Sequence, residues 1–278
     1  MIPDPIELGL ARGWKVIDAS RLAHDLALEA DVAIVGTGAG GGVTAEILSA
    51  AGLSVVLLEE GPLKSTRDFR MREAEAYPQL YQESASRKTL DKAITILQGR
   101  CVGGSTTVNW TAAFRTPSAT LEFWRREYGL GELAGDRLQA WFEMMERRLS
   151  VAPWPVAPNR NNELLRRGAA SLGIPTGVVR RNVRGCLDLG YCGMGCPTNA
   201  KQSMLVTTLP AALDRGAILV THAQARRVLA KVGRVEMLEA AGVGPAGKRP
   251  GTSRVIVRAR HYVLAAGAIG SQIGRAHV

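Results

Sequence analysis

Three glycines near the amino terminus have a spacing that suits close approach of the backbone to a phosphate group. They lie in the stretch GTGAGG as Gly36, Gly38 and Gly41, in the pattern G-x-G-x-x-G. The first glycine of such a pattern makes a tight turn, the second lets the backbone approach a pyrophosphate, and the third lets a helix pack on a strand. Glu59 follows about 20 residues later, where an acidic side chain holds a ribose. Together these residues predict a dinucleotide site, without distinguishing NAD from FAD.

Three cysteines in the second half of the chain have a spacing that suits metal binding. Cys186, Cys192 and Cys196 follow the pattern C-x5-C-x3-C-P in a glycine-rich stretch. Thiolates hold iron–sulfur clusters, and a Cys-Pro end is typical of bacterial ferredoxin loops. A tetrahedral zinc site needs a fourth ligand, for which Asp188 is the nearest candidate in sequence. Buried free thiols are also ordinary. An iron–sulfur cluster, zinc and structural thiols therefore stay open as interpretations.

The elements that position the first glycine motif are short and regular. Residues 31–35 are an apolar run that predicts a strand bounded by Gly36. Residues 43–51 have apolar side chains at helical spacing until Gly52 ends the helix. Residues 54–58 predict a second buried strand, which ends at Glu59. The order strand, glycine turn, helix, strand is a βαβ unit, and it places a helix N-terminus where an anion is favoured.

Composition excludes several classes of protein. The chain has 278 residues, is 46% hydrophobic and carries a formal net charge of +10. Its arginines are scattered in short pairs, as on solvated helix faces, so we expect no nucleic-acid partner. The chain has neither a secretory signal pattern nor an apolar run of the ~20 residues that a bilayer crossing needs. We therefore expect a cytoplasmic, thiol-reducing setting, where clustered cysteines argue for metal or chemistry over disulfides.

A second glycine loop carries a family resemblance. The stretch GRCVGGSTTVN, residues 99–109, resembles the first signature of the glucose-methanol-choline (GMC) flavin oxidoreductases. The family's loop wraps the flavin pyrophosphate and runs along the isoalloxazine ring. Val108 stands where some relatives have a histidine bonded to the flavin, which excludes a covalent link at that position. The resemblance implies FAD as cofactor, with these residues of the loop contributing to its site: Arg100, Gly103, Gly104, Ser105, Thr106 and Asn109.

Two later segments resemble the same family in order. Residues 216–229 resemble the strand pair that reaches the adenine, with the backbone of Ala225 as the expected contact. Residues 261–271 resemble the strand and glycine turn, here Gly267, that return the chain to the pyrophosphate. The resemblance implies an α/β fold: a Rossmann-like βαβ FAD-binding domain with a β-meander, plus an incomplete substrate domain.

The resemblance also implies domain boundaries. We expect an N-terminal extension at residues 1–30 and a discontinuous FAD-binding domain at 31–115 and 205–272. Residues 116–204 would supply helices and the cysteine loop to the cap or substrate region. One of these helices, 136–150, places Trp141 on an apolar face that we expect to be core. Some GMC dehydrogenases of sugars and polyols carry a three-iron cluster on a similar cysteine loop.

The carboxyl end departs from the family. The family's catalytic base is a histidine paired with a histidine or an asparagine far downstream, and neither His261 nor His277 matches it. Residues 273–278, IGRAHV, are what one reading frame of a common sequencing adapter encodes. We therefore expect a fragment with a non-native tail, whose catalytic residues lie beyond this chain and which is inactive by itself.

The implied reaction is oxidation of the CH–OH group of an alcohol, polyol or sugar, with hydride transfer to flavin N5. A small-molecule alcohol is the expected substrate, and an iron–sulfur cluster would favour a protein electron acceptor over oxygen. An NAD-dependent enzyme is one rival interpretation, which the loop at 99–109 opposes. A non-catalytic protein that binds FAD or an iron–sulfur cluster is the other.

Overall fold

The computed structural model describes residues 3–133, 135–244 and 250–276, which form two compact units. The first unit runs up to Trp110 and resumes at Cys186, and the second comprises Thr111–Gly185. No helix in these described ranges has the length and apolar character of a membrane span.

A seven-stranded sheet forms the centre of the first unit. In the order in which they lie, its strands are β1 (Lys15–Asp18), β6 (Ile218–Thr221), β3 (Val55–Leu58), β2 (Leu26–Val35), β9 (Pro250–Leu264), β8 (Arg234–Val243) and β7 (Ala223–Lys231). The strands β1, β6, β3, β2 and β9 pair with one another in parallel, whereas β9, β8 and β7 pair antiparallel as a meander. Two further strands, β4 (Val151–Pro153) and β5 (Arg180–Asn182), pair with each other outside this sheet.

The helices lie around this sheet and in the second unit. The βαβ unit predicted from the sequence is confirmed as β2, the helix α2 (Ala39–Ala50) and β3, and the predicted α/β class with a meander is confirmed. The helices are α1 (Pro5–Ala11), α2 (Ala39–Ala50), α3 (Glu73–Leu80), α4 (Ser105–Val108), α5 (Ser118–Tyr128), α6 (Gln139–Arg148), α7 (Arg160–Ser171), α8 (Thr208–Asp214) and α9 (Gly267–Ala276).

The core of the first unit is made by the apolar strands. Ala33 and Val56 on neighbouring strands are completely buried, together with Val220 of β6 and Val255 of β9. These β-branched and small residues suit strands that are covered on both faces. The absence of a side chain at Gly42 lets α8 pack across α2, because a Cβ there would lie 2.7 Å from Thr208 Oγ1.

The second unit consists of α5, α6 and α7 with the antiparallel pair β4-β5. The helix expected at 136–150 is present, but as α6 it begins only at Gln139, after a 3-10 turn. The expectation that its apolar face is core was wrong, since Trp141 is 58% exposed and α6 contains no buried residue. Helical periodicity identifies an apolar face but not what covers it.

The two units divide the chain differently from the expected domains. Residues of the expected N-terminal extension form β1, which pairs with β6 at the sheet edge, and the first half of β2. The loop from Cys186 onward falls in the first compact unit, whereas we expected it in the cap or substrate region. Helix α9 includes residues 273–276 of the expected tail, while His277 and Val278 lie outside the described residues.

Candidate functional site

A cavity of about 540 Å³ lies at the carboxyl ends of the parallel strands. Its wall includes Val35 at the end of β2, Leu58 at the end of β3 and Leu264 at the end of β9. Open α/β sheets bind ligands in this position, and the volume is in the range of small-molecule and cofactor sites. Nine residues expected at the cofactor line this cavity: Gly36, Gly38, Glu59, Arg100, Gly104, Ser105, Thr106, Ala225 and Gly267.

The two glycine loops meet at Gly38 and Gly104. A Cβ on Gly104 would lie 2.8 Å from the Cα of Gly38, so a side chain there would separate the loops. Gly104 also has φ +54°, which glycine adopts without strain. Gly38 is the N-cap of α2, and no side chain caps this helix. The backbone N–H groups at its amino end therefore face the cavity without a capping side chain. Backbone amides and the helix dipole favour a phosphate at such a position.

The remaining expected residues, Gly41, Gly103 and Asn109, do not line the cavity. A Cβ on Gly41 would lie 1.8 Å from the carbonyl oxygen of Gly36 and 3.3 Å from Ile34 Cγ2, which agrees with a role in helix–strand packing. Gly103 has φ +88°, and a Cβ there would lie 2.3 Å from Thr107 Oγ1. Asn109 is exposed and lies after α4, outside the cavity wall.

Thr37, the residue between the first two glycines, joins three segments of the site. Its backbone N–H and its hydroxyl donate to Glu59 Oε2 at 3.1 and 2.6 Å, and its Oγ1 accepts from the N–H of Gly103 at 3.0 Å. Thr37 is completely buried. Sequence reasoning missed this residue, because the motif leaves that position unspecified and the partners lie 22 and 66 residues away.

Glu59 lies at the cavity, but its carboxylate is held by the protein. Oε2 accepts from Thr37, and Oε1 accepts from the N–H of Gly61 at 2.9 Å. Burial raises the pKa of Glu59, while the hydrogen bonds from Thr37 and Gly61 act in the opposite direction. The neighbouring Glu60 also lines the cavity and its side chain is 27% exposed, with Arg100 Nε at 3.6 Å. Sequence reasoning missed this second carboxylate, which the doublet EEG could have suggested.

The three cysteines of the loop are not grouped as metal ligands in the part of the chain that the structure describes. Among the described residues, no group of three histidine, cysteine, aspartate or glutamate side chains lies close enough to hold a metal ion, and Cys186, Cys192 and Cys196 are all described. The structure therefore does not support the iron–sulfur or zinc interpretation. Pattern spacing cannot report whether thiols converge, since each cysteine's direction depends on the loop conformation.

Lys201 occupies the space behind the second glycine loop. The side chain is buried, and Nζ donates to the carbonyl oxygens of Thr107, Asn109 and Cys192 at 2.9, 2.6 and 2.7 Å. Burial lowers the pKa of Lys201 to about 8, so the amine remains protonated at neutral pH. No sequence pattern that we considered indicated this contact.

The family model and the relatives found by sequence comparison agree with one another. The GMC oxidoreductase family model matches residues 77–273. A GMC-type oxidoreductase of Mycobacterium tuberculosis is 37% identical over 242 residues, which cover 86% of this chain and 37% of the relative. The long-chain-alcohol oxidase FAO1 of Arabidopsis thaliana is 31% identical over 218 residues, covering 78% of this chain and 29% of the oxidase.

Solved structures share the fold. Pyridoxine 4-oxidase from Mesorbium loti superposes with a TM-score of 0.60 at 18% identity, covering 86% of this chain and 49% of that chain. Formate oxidase gives a TM-score of 0.63 at 15% identity, covering 91% of this chain and 48% of that one. The chain thus spans less than half the length of each of these relatives.

Proposed function

The chain belongs to the GMC oxidoreductase family, and on that premise we propose that its cavity binds FAD for the oxidation of an alcohol CH–OH group. The observation that carries the proposal is the meeting of Gly38 and Gly104, where two glycine loops distant in sequence form one cradle. A dinucleotide site of the NAD type needs only the first loop. The second loop favours the flavin dinucleotide.

Each wall of the cavity suits one part of FAD. The amino end of α2 suits the pyrophosphate, and the hydroxyl of Ser105 can donate beside it. The Thr106 hydroxyl also lines the cavity, but it donates to the carbonyl oxygen of Gly103 at 2.6 Å. Glu59 or Glu60 suits the ribose of the adenosine, and the backbone of Ala225 suits the adenine. When bound, FAD supplies a hydride acceptor at N5, and the residues of this chain bind and orient it.

The substrate class is proposed from the relatives. Several of them are long-chain-alcohol oxidases of Arabidopsis thaliana, so we propose an alcohol as the hydride donor. Alcohol oxidation needs a group that accepts the hydroxyl proton. None of the described histidines lines the cavity, and the histidine base implied by the family resemblance stays a prediction.

Titration of the chain with FAD, followed by quenching of flavin fluorescence, tests the proposal. Gly38→Ala is the informative variant. Gly38 has φ −68°, and a Cβ there would lie no nearer than 3.8 Å to the protein, so alanine should fold while its methyl group enters the cradle. Gly168→Ala in α7, where a Cβ meets nothing within 4 Å, is the matched control.

We expect wild type and Gly168→Ala to bind FAD and Gly38→Ala to bind at least about tenfold more weakly, since a displaced phosphate loses charge-assisted hydrogen bonds. Equal affinity of all three proteins would contradict the assignment of the cradle. Steady-state oxidation of alcohols with an artificial acceptor then tests this polypeptide for turnover, and turnover would contradict the expectation that its catalytic base lies beyond this chain.

A further inference from the structure

The buried ammonium group of Lys201 lies outside the cavity wall and contacts the second glycine loop, part of which lines the cavity. Lys201 is 3% exposed, and its three N–H donors each have a backbone carbonyl acceptor. Two acceptors, Thr107 and Asn109, belong to the second glycine loop, and the third, Cys192, belongs to the cysteine loop. A lysine ammonium has three donors, so the group is fully used in joining these loops.

The position of α4 depends on contacts of this kind. The helix is a single turn, and the last carbonyls of a helix lack partners within it. A cation at this end satisfies them and complements the helix dipole. The turn is preceded by Gly103 and Gly104 at φ +88° and +54°, and glycine restricts its own backbone less than any other residue. The loop's sequence alone therefore does not hold α4 in place.

The opposite side of the same turn faces the cavity. Ser105 and Thr106 line it, and the N–H of Met204, three residues after Lys201, donates to Thr106 Oγ1 at 3.1 Å. The hydroxyl of Tyr81 lies between the second glycine loop and the cysteine loop: it donates to the carbonyl oxygen of Gly193 at 2.7 Å and lies 3.3 Å from the carbonyl oxygen of Val108. Movement of the turn away from Lys201 would move the cavity hydroxyls.

We propose that Lys201 is a positioning residue for cofactor binding, which holds α4 against the cavity by anchoring it to the cysteine loop. This inference rests on the proposed FAD site, and it gives the cysteine loop a mechanical role. Lys201 does not line the cavity, so it acts through Ser105 and Thr106.

The test compares Lys201→Met with Lys231→Met in the full chain. Methionine keeps the length of the lysine stem but has no N–H donors, and Lys231 is an exposed lysine at the end of β7 whose loss changes the net charge equally. Two quantities are measured: FAD affinity, and amide hydrogen exchange of the cofactor-free proteins in the Gly103–Asn109 loop and in β3. If Lys201→Met fails to fold, Lys201→Gln, which keeps two donors, is measured instead.

We expect exchange in the Gly103–Asn109 loop to become about tenfold faster in the Lys201 variant, with β3 unchanged, because only the local opening is easier. FAD affinity should fall by about tenfold, and Lys231→Met should match wild type in both. Unchanged loop exchange, or equal acceleration in β3, would overturn the positioning role. Failure of wild type to bind FAD would instead refute the proposed function, and the exchange measurement alone would then decide whether Lys201 holds the loop.

Discussion

Replacement of Thr37 by valine tests whether the buried hydroxyl joins the two glycine loops. Valine has nearly the shape of threonine, but it can neither donate to Glu59 Oε2 nor accept from Gly103 N–H. The backbone bond from Thr37 N–H to Glu59 remains. The substitution therefore removes two hydrogen bonds at a completely buried position with little change of volume.

The expected loss follows from what each group leaves behind. A buried donor such as Gly103 N–H that loses its acceptor costs about 1–3 kcal/mol, and a hydrogen bond to a neutral or charged carboxyl contributes about 1–3 kcal/mol. Local relaxation recovers part of this sum, so we expect the free energy of unfolding to fall by about 2–4 kcal/mol. Folded domains have about 5–15 kcal/mol in all, so such a loss is large enough to measure.

Urea unfolding of wild type, Thr37→Val and Thr37→Ser gives the comparison. Serine keeps the hydroxyl and loses only a methyl group, which should cost about 1 kcal/mol or less. The pH dependence adds a second readout. Burial raises the pKa of Glu59, and the Thr37 hydroxyl favours its ionised form, so Thr37→Val should raise this pKa further. The valine variant should then lose more stability relative to wild type at about pH 8 than at about pH 5.

A valine variant within about 0.5 kcal/mol of wild type would refute this reasoning, as would a serine variant that is equally destabilised. The first result would mean that the hydroxyl contributes nothing net. The second would mean that the threonine methyl group, through packing, is what matters at this position.

Three further predictions concern other parts of the chain. Gly41→Ala should lower the melting temperature severely, because its Cβ would lie 1.8 Å from the Gly36 carbonyl oxygen. Gly40→Ala should be tolerated, because its Cβ would lie 3.6 Å from the Ala265 Cβ. Calorimetry of both variants measures the two melting temperatures. In the second unit, Arg115, which binds Glu146 at 2.7 Å, lowers the pKa of that carboxyl to about 2, with Arg180 assisting. The stability that this pair contributes should be present above about pH 4.5 and be lost as the pH falls towards 2. Glu146→Gln should remove this contribution to the pH dependence of stability, as followed by tryptophan fluorescence during acid unfolding. Anaerobic reconstitution with iron and sulfide should give no visible cluster absorption, and a stoichiometric cluster would contradict the loop geometry.

Local features of the site could be predicted from the sequence. Gly36 and Gly41 each meet a requirement set within a few residues of chain: a positive φ at Gly36, and contact of a helix with its own preceding turn at Gly41. Such requirements leave a mark in the sequence because only one residue type satisfies them. The βαβ unit and the second glycine loop could be predicted from the sequence for the same reason.

Contacts between distant segments could not be predicted in this way. Thr37 meets Gly103, and Lys201 meets the turn at α4, because the sheet brings strand ends together from separate parts of the chain. Nor could the pairing of β1 with β6 be predicted. Residues 1–30 were expected to be an N-terminal extension, whereas β1 forms an edge strand of the sheet.

The cysteine loop shows the difference most clearly. By itself the sequence determined that three thiols lie close along the chain, in a spacing that iron–sulfur proteins also use. In the tertiary structure these thiols are not among any described group of three metal-ligating side chains, and the carbonyl oxygen of Cys192 accepts from the buried ammonium of Lys201. Spacing along a chain limits which atoms can meet, but in an irregular loop the backbone conformation, set by the packing around it, selects those that do.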